Sequence, residues 1–263
     1  MAYVIDAENG AEATTVDVTL DVGSTANRKA ILLGTCRDDG GGANAGTADR
    51  DPTGTPEAMT RIAGASGSVF ETAVGWWYSE AFYLDLSVTG SQTFRYDAGT
   101  GRCMAAVLVW DDLAAGASEA AEFVTDTTDP ASPMSDSITT LTDGALIVVN
   151  ITSDPNAAPN WAWDNSETEF VDADLLDVLC QTSAYLVKAT AGAQTVGATA
   201  TAAPDVAAMS SVAFAPVAAS SATMQMMQHY YRNAMKKIDG IWQQVPHLVR
   251  PTPQEVLAFT GAR

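Results

Sequence analysis

RCMAAVLVW, residues 102–110, and GALIVVNIT, residues 144–152, are the stretches on which the fold turns. Each carries a continuous apolar core, AAVLVW in one and ALIVVN in the other, rather than an alternation of apolar and polar positions. A short strand that is apolar on both faces must be covered on both faces, so these two runs read as central strands. Working outward, β-branched and aromatic runs recur between turn clusters. TTVDVTLDV (14–22) sets Val16, Val18 and Leu20 against Thr15, Asp17 and Thr19, which gives one packed and one wet face. KAILLGTC (29–36), FETAVGWWY (70–78), SQTFRYDA (91–98), SAYLVKAT (183–190), AQTVGATAT (193–201) and AAMSSVAFAP (207–216) continue the series. Nothing in this body has sustained helical periodicity, and the pattern predicts an all-β, antiparallel sandwich.

DDGGGANAGTADRDPTGTP (38–56) is rich in Gly, Asp, Thr and Pro and is expected to be a long exposed loop. Its acids Asp38, Asp39, Asp49 and Asp51 lack the order of a calcium-binding loop, so they read as a solvated acidic surface.

Charge and composition change near residue 218. Residues 1–218 hold 8 basic and 30 acidic side chains, a balance of −22, whereas residues 219–263 hold 5 and 2, a balance of +3. The expected organisation is therefore a β-sandwich domain over 1–218 and a C-terminal arm over 219–263. In the arm, Met224, Met227, Tyr231, Ala234, Met235 and Ile238 recur at three- and four-residue steps. Ser220 or Ser221 stands before them, Lys236 and Lys237 near their end, and Gly240 beyond, a pattern that predicts an amphipathic α-helix. Further on, Thr252 and Glu255 form a capping box with Pro253 at the first helical position and Gly261 as terminator, which predicts a second short helix. The arm thus offers Met224, Met227, Tyr230, Tyr231 and Met235, then Trp242, Leu248, Val256, Leu257 and Phe259, as a partner-binding face. Arg232, Lys236, Lys237 and Arg250 suit acidic partners.

The net charge of −19 opposes binding to nucleic-acid phosphates and to anionic membranes. Both histidines, His229 and His247, fall in the arm, and no GxSxG elbow, CxxC, HExxH or phosphate-binding glycine loop occurs. No enzyme activity, metal or cofactor is expected. The three cysteines, Cys36, Cys103 and Cys180, lie in separate apolar stretches and read as buried small hydrophobes. Glu167 and Glu169 share the two-residue spacing of a glycosidase carboxylate pair, a coincidence expected in so acidic a chain. Trp161 and Trp163 are the candidates for stacking on a glycan.

The segment order VTLDVGSTANRKAILLGTC, EAMTRIAGAS, VGWWYSEA, the hairpin SQTFRYDAGTGRCMAAVLVWDDL, then SPMSDSITTLTDGALIVVNITS and TVGATATAAPDVAAMSSVAFAP, resembles a jelly-roll-like β-sandwich module of bacteriophage virion proteins and bacterial surface proteins. The resemblance spans roughly residues 14–217 and carries no catalytic or binding residue. It implies a jelly-roll sandwich in an accessory virion component: a capsid decoration or cement protein, a head fibre or a tail part. The long acidic 38–56 stretch and the C-terminal arm depart from the pattern. Met1 is followed at once by AYVIDAENG, without a basic, apolar leader, which fits assembly in the host bacterial cytoplasm. The expected partner is the major capsid protein or another virion protein. A homo-oligomer, with a trimer favoured, is expected, and a tail or head-fibre module that binds a receptor or glycan is the alternative.

Overall fold

The computed structural model describes residues 3–4, 8–9, 14–38, 45–71, 75–99, 101–127, 133–154, 161–175, 178–202, 204–218, 235–238 and 241–244. The chain divides into two compact units, Met1–Val217 and Ala218–Arg263. The first is all-β and antiparallel; its only described helical turn is the 3₁₀ turn Ala63–Ala65.

Its strands fall into two series. The first holds Tyr3–Val4 (β1), Glu8–Asn9 (β2), Thr15–Asp21 (β3), Arg28–Asp38 (β4), Thr47–Arg50 (β5), Glu57–Ala58 (β6), Thr60–Arg61 (β7), Gly67–Glu71 (β8), Gly75–Leu86 (β9), Ser91–Asp97 (β10) and Arg102–Trp110 (β11). The second holds Ala120–Asp126 (β12), Met134–Thr140 (β13), Ala145–Ser153 (β14), Trp161–Trp163 (β15), Thr168–Leu175 (β16), Leu179–Lys188 (β17), Gly192–Ala200 (β18) and Ala207–Phe214 (β19). Series one forms an inner sheet, β1-β11-β4-β9-β7 with β2 on β11 and β8 on β9, and an outer sheet, β3-β10-β5-β6. Series two forms an inner sheet, β12-β19-β14-β17-β16, and an outer sheet, β13-β18-β15.

Apart from β2, β6 and β8, which have no counterpart among the described residues of the second series, the two orders are the same order, and the registers agree as well. Tyr3 and Val4 lie opposite Val109 and Leu108, just as Ala120 and Ala121 lie opposite Ala213 and Val212. The sequence reading expects one sandwich; the residues build two, stacked in four layers. Val16, Val18, Leu20, Phe94 and Tyr96 fill the first sandwich against Ala30, Leu32, Phe82 and Val107. Met134, Ile138, Trp161 and Val196 fill the second against Ile147, Val149, Ile151 and Met209. The inner sheets then meet back to back: Ile31, Leu33, Ala81 and Leu108 pack on Leu146, Val148, Val212 and Phe214. This is why β11 and β14 are apolar throughout. Each is central in its sheet and covered on both faces, and each fully buried aliphatic side chain there contributes about 1.5–3 kcal/mol.

The middle seam has the reciprocity of a two-fold contact. Trp110 meets Tyr185 edge-on, with centroids 5.0 Å apart, and the residues at equivalent strand positions, Phe214 and Tyr83, meet in the same way at 6.0 Å. Nearer the other end the seam is polar. Asn150 Nδ2 donates to Ser79 Oγ at 2.9 Å, and Ser210 Oγ to Ser79 Oγ at 2.8 Å. Ser183 Oγ and Gln181 Nε2 donate to Asn150 Oδ1 at 2.7 and 3.0 Å, and Gln181 Nε2 also reaches the Leu33 carbonyl at 3.1 Å. Buried dipoles bond only at one register, so this layer fixes how the sheets sit where apolar contact alone would let them slide. At the opposite end Lys29, fully buried, pairs with Asp85, donates to the Gly116 carbonyl at 2.8 Å and lies 4.6 Å from the Tyr83 ring centroid. Asp85 Oδ2 in turn accepts from Gly116 N at 2.7 Å, which ties the connection between the two series to the seam.

Three further expectations change. SQTFRYDAGTGRCMAAVLVW is not a hairpin: β10 pairs with β3 and β5, whereas β11 pairs with β1, β2 and β4, so the chain crosses the core between them. Gly101 at φ +83° makes that crossing; a Cβ there would stand 2.1 Å from the Arg37 carbonyl oxygen. Residues 38–56 are not loop throughout, because Thr47–Arg50 is a strand on β10 with Ala48 buried opposite Tyr96. The short alternation within TADR was hidden by its acidic, glycine-rich flanks.

In the second unit the described residues are strands, not helix. Met235–Ile238 (β20) pairs antiparallel with Ile241–Gln244 (β21), Ile238 opposite Ile241 and Met235 opposite Gln244. The helical periodicity extended to Ile238, but Asp239-Gly240 follows it, a dipeptide strongly favoured in two-residue hairpin connections. The rest of the first predicted helix and all of the second lie outside the described residues.

Asn150→Ala removes the bonds to Ser79, Gln181 and Ser183 and leaves buried groups short of partners. Urea unfolding should show a loss of about 3 kcal/mol, summed over groups costing about 1–3 kcal/mol each. A loss under about 0.5 kcal/mol, the range of an ordinary surface change, would show that the polar layer does not hold the seam.

Candidate functional site at the loop pole

β4 and β14 end, and β9, β11, β17 and β19 begin, at the same pole of the stacked sandwiches, as Val69, Trp77 and Met104 packing on Leu179, Val206 and Ala208 shows. The connections β4–β5, β8–β9, β10–β11, β14–β15, β16–β17 and β18–β19 therefore all leave from one end. Connections gathered on a rigid scaffold are the usual place for recognition.

Two groups of side chains mark this pole, and a third runs from it along β16. Phe70 on β8 is 47% exposed and packs against the half-buried Trp76 of β9, centroids 4.9 Å apart and rings tilted by 47°. Glu71, the next residue, is coupled to Asp154 and Asp205 of the second sandwich and to Arg37 of the first. Burial above all, then the two aspartates, raises its carboxyl above the ordinary value, and the Arg37 guanidinium opposes the rise. The third group is the β16 edge. A bulge between Glu169 and Val171 breaks the alternation, so that Glu169, Asp172 and Asp174 stand opposite Ala184, Thr182 and Cys180, all on one face. Asp172 is raised by burial and then by Asp174; Glu169 is raised by burial and then by Asp172, with the Trp163 side chain opposing.

Elsewhere carboxylates serve the framework. Glu80 is fully buried: its Oε1 accepts from Arg61 Nε at 2.9 Å, and its Oε2 accepts from Tyr96 OH at 2.8 Å and Gly46 N at 3.0 Å. Tyr96 reaches that position across Gly34, where a Cβ would fall 2.6 Å from the tyrosine ring. Burial first, and the Glu80 charge next, hold the phenol well above its usual range. On the outer sheet Arg95 grips Asp17 with two bonds of 2.6 Å directly across the strand pair.

The residues singled out from sequence are placed as follows. Trp161 is 4% exposed and belongs to the second core, while Trp163 is half-buried, so the two do not form an open pair of rings. Glu167 accepts from Asn165 N at 2.6 Å and Gly197 N at 3.1 Å, a loop clamp rather than one arm of a carboxylate pair with Glu169. Asp38 is buried, and Asp51, at φ +53°, accepts from Gly54 and Thr55 backbone at its own turn. The three cysteines are buried and none is in a disulfide. Burial pushes the Cys103 thiol up to about 12. Met235, Lys236, Lys237 and Trp242 lie on the C-terminal hairpin. Met224, Met227, Tyr230, Tyr231, Arg232, Leu248, Arg250, Val256, Leu257 and Phe259, with both histidines, lie outside the described residues. Among the described residues, no group of three or more His, Cys, Asp or Glu side chains is arranged to hold a metal ion.

Sequence reasoning missed the Phe70–Trp76 pair and the acidic face of β16. The first was legible only as a strand with aromatics, and the second depends on a bulge that no periodicity reveals.

The Glu71 shift has a definite sign. Its folded value lies above the ordinary 4.5, so ionising it costs more in the folded chain, and stability falls as pH rises from 4.5 through the folded value. Glu71→Gln should raise the melting temperature at neutral pH and show no gain below pH 4.5; an equal gain at both would assign the effect to something other than this charge.

No protein-family model matches the chain, and no curated protein matches it.

Proposed function

We propose that this chain is a structural protein of a bacteriophage virion, a capsid decoration or cement protein that attaches to the shell and stabilises it. The observation that carries the reading is the middle seam. Two sandwiches are fused through an apolar and hydrogen-bonded interface into one block in which the fully buried Lys29 and Glu80 are tied into the framework. Such a block resists deformation, and its architecture serves persistence rather than turnover.

The topology of the second half also supports the jelly-roll reading that the sequence resemblance implies. In the second series the chain alternates between inner and outer sheet at every step from β12 to β19 except β16 to β17. This is the habit of a sheet pair built by folding one long hairpin over itself. The charge distribution supplies the mode of attachment. An acidic body of −22 faces solvent, and the arm of residues 219–263, at +3, binds the major capsid protein or another virion protein. An arm interface on the order of 800 Å² per partner is enough for stable attachment. The protein acts as a homo-oligomer on the virion, assembled in the bacterial cytoplasm, without enzyme activity or cofactor.

Phe70 and Trp76 favour a second reading, a tail or head-fibre module that binds a host glycan, because an exposed phenyl ring tilted against a half-buried indole, beside carboxylates, suits a sugar face. Glycan-array binding that falls at least tenfold in Phe70→Ala would select it.

Cryo-electron microscopy of the native particle tests the main reading. Regular copies across the shell are expected, and deletion of residues 219–263 should abolish attachment. Density confined to a few copies at a tail or fibre tip, or undiminished attachment of the truncated chain, would overturn it.

A further inference from the structure

We infer that the C-terminal hairpin of one copy, β20 and β21, adds to the open edge strand β16 of a second copy, so that the chain assembles by strand exchange between subunits. The inference extends the homo-oligomer part of the reading above and does not depend on attachment to a shell.

Two observations meet here. The hairpin forms a two-stranded sheet of its own among the described residues, four residues to each strand. A two-stranded ribbon is marginal in water, and a third strand is what makes it persist. Among the described residues, β16 in turn is paired on one side alone: it bonds β17 and ends the inner sheet. An edge of this kind presents backbone donors and acceptors to any extended segment.

Charge selects the occupant. Four other carboxylates on the body's strands have cations, Asp17 with Arg95, Glu57 with Arg50, Glu80 with Arg61 and Asp85 with Lys29. Glu169 and Asp172 have no basic partner among the described residues, and the bulge sets them on one face with Asp174. The hairpin holds Lys236 and Lys237, two of only four lysines in the chain, on adjacent positions of β20. One hairpin and one β16 edge per chain give a head-to-tail contact, which closes into a ring when the rotation between copies permits.

The same acids would also suit an edge kept bare by repulsion, and the two roles predict opposite results. Size-exclusion chromatography with light scattering on the purified full chain should show an oligomer that weakens as salt rises. Lys236→Glu with Lys237→Glu, or Glu169→Lys with Asp172→Lys, should each raise the dissociation constant at least tenfold. Combining the two pairs in one chain should restore assembly. Amide exchange along β16 should slow as protein concentration rises in the wild type and in the combined variant, and in neither charge-reversed pair alone. A monomer at all concentrations, unchanged mass in both charge-reversed variants, or stronger association in Glu169→Gln with Asp172→Gln would overturn the proposal. Circular dichroism and thermal melting of each variant separate loss of assembly from loss of fold.

Discussion

Everything in the body depends on the contact between the two inner sheets. A sandwich normally keeps one face of each sheet wet, and here each half instead surrenders the outer face of its larger sheet to its twin. That choice dictates the composition of β4, β9, β11, β14, β17 and β19, which run nearly unbroken through apolar and small residues. It also creates a problem that apolar contact does not solve, since two flat oily faces fit in many ways. The Asn150–Ser79–Gln181 layer at one end and the Lys29–Asp85–Gly116 tie at the other restrict the fit to one.

Burying Lys29 and Glu80 is costly unless each is fully engaged, and both are. Lys29 has a carboxylate, a carbonyl and the faces of Tyr83 and Phe214 around it. Glu80 has a guanidinium, a phenol and a backbone amide. These are the points at which distant segments are fastened, the connection near Gly116 in one case and the approach to β5 in the other. Carboxylates that lack such engagement, Glu71, Glu169 and Asp172, collect where the loops and the open edge are.

Fold class was legible in the sequence because periodicity is a local property: Val16, Val18 and Leu20 declare a half-wet strand, and ALIVVN declares a covered one. The duplication was not legible, since the halves share strand order and register but few residue identities. Trp110 corresponds to Phe214 and Ser79 to Gln181 by position in the fold, not by likeness. The hairpin at 235–244 was misread for a different reason. Met235 and Ile238 fit a helical face as well as a strand, and the decisive information was Asp239-Gly240 beyond them. The candidate surfaces were the least legible part. The β16 bulge and the Phe70–Trp76 contact arise from pairing between strands that no single segment encodes.

The equivalence of the two halves has a geometric consequence. Because the axis that relates them runs along the strands, corresponding connections such as β4–β5 and β14–β15 leave the body from the same end and at matched positions. A single polypeptide thereby acquires the valency of a parallel dimer without the concentration dependence of one. The two sets of connecting sequences are free to diverge while the strand ends that anchor them keep a spacing fixed by the scaffold.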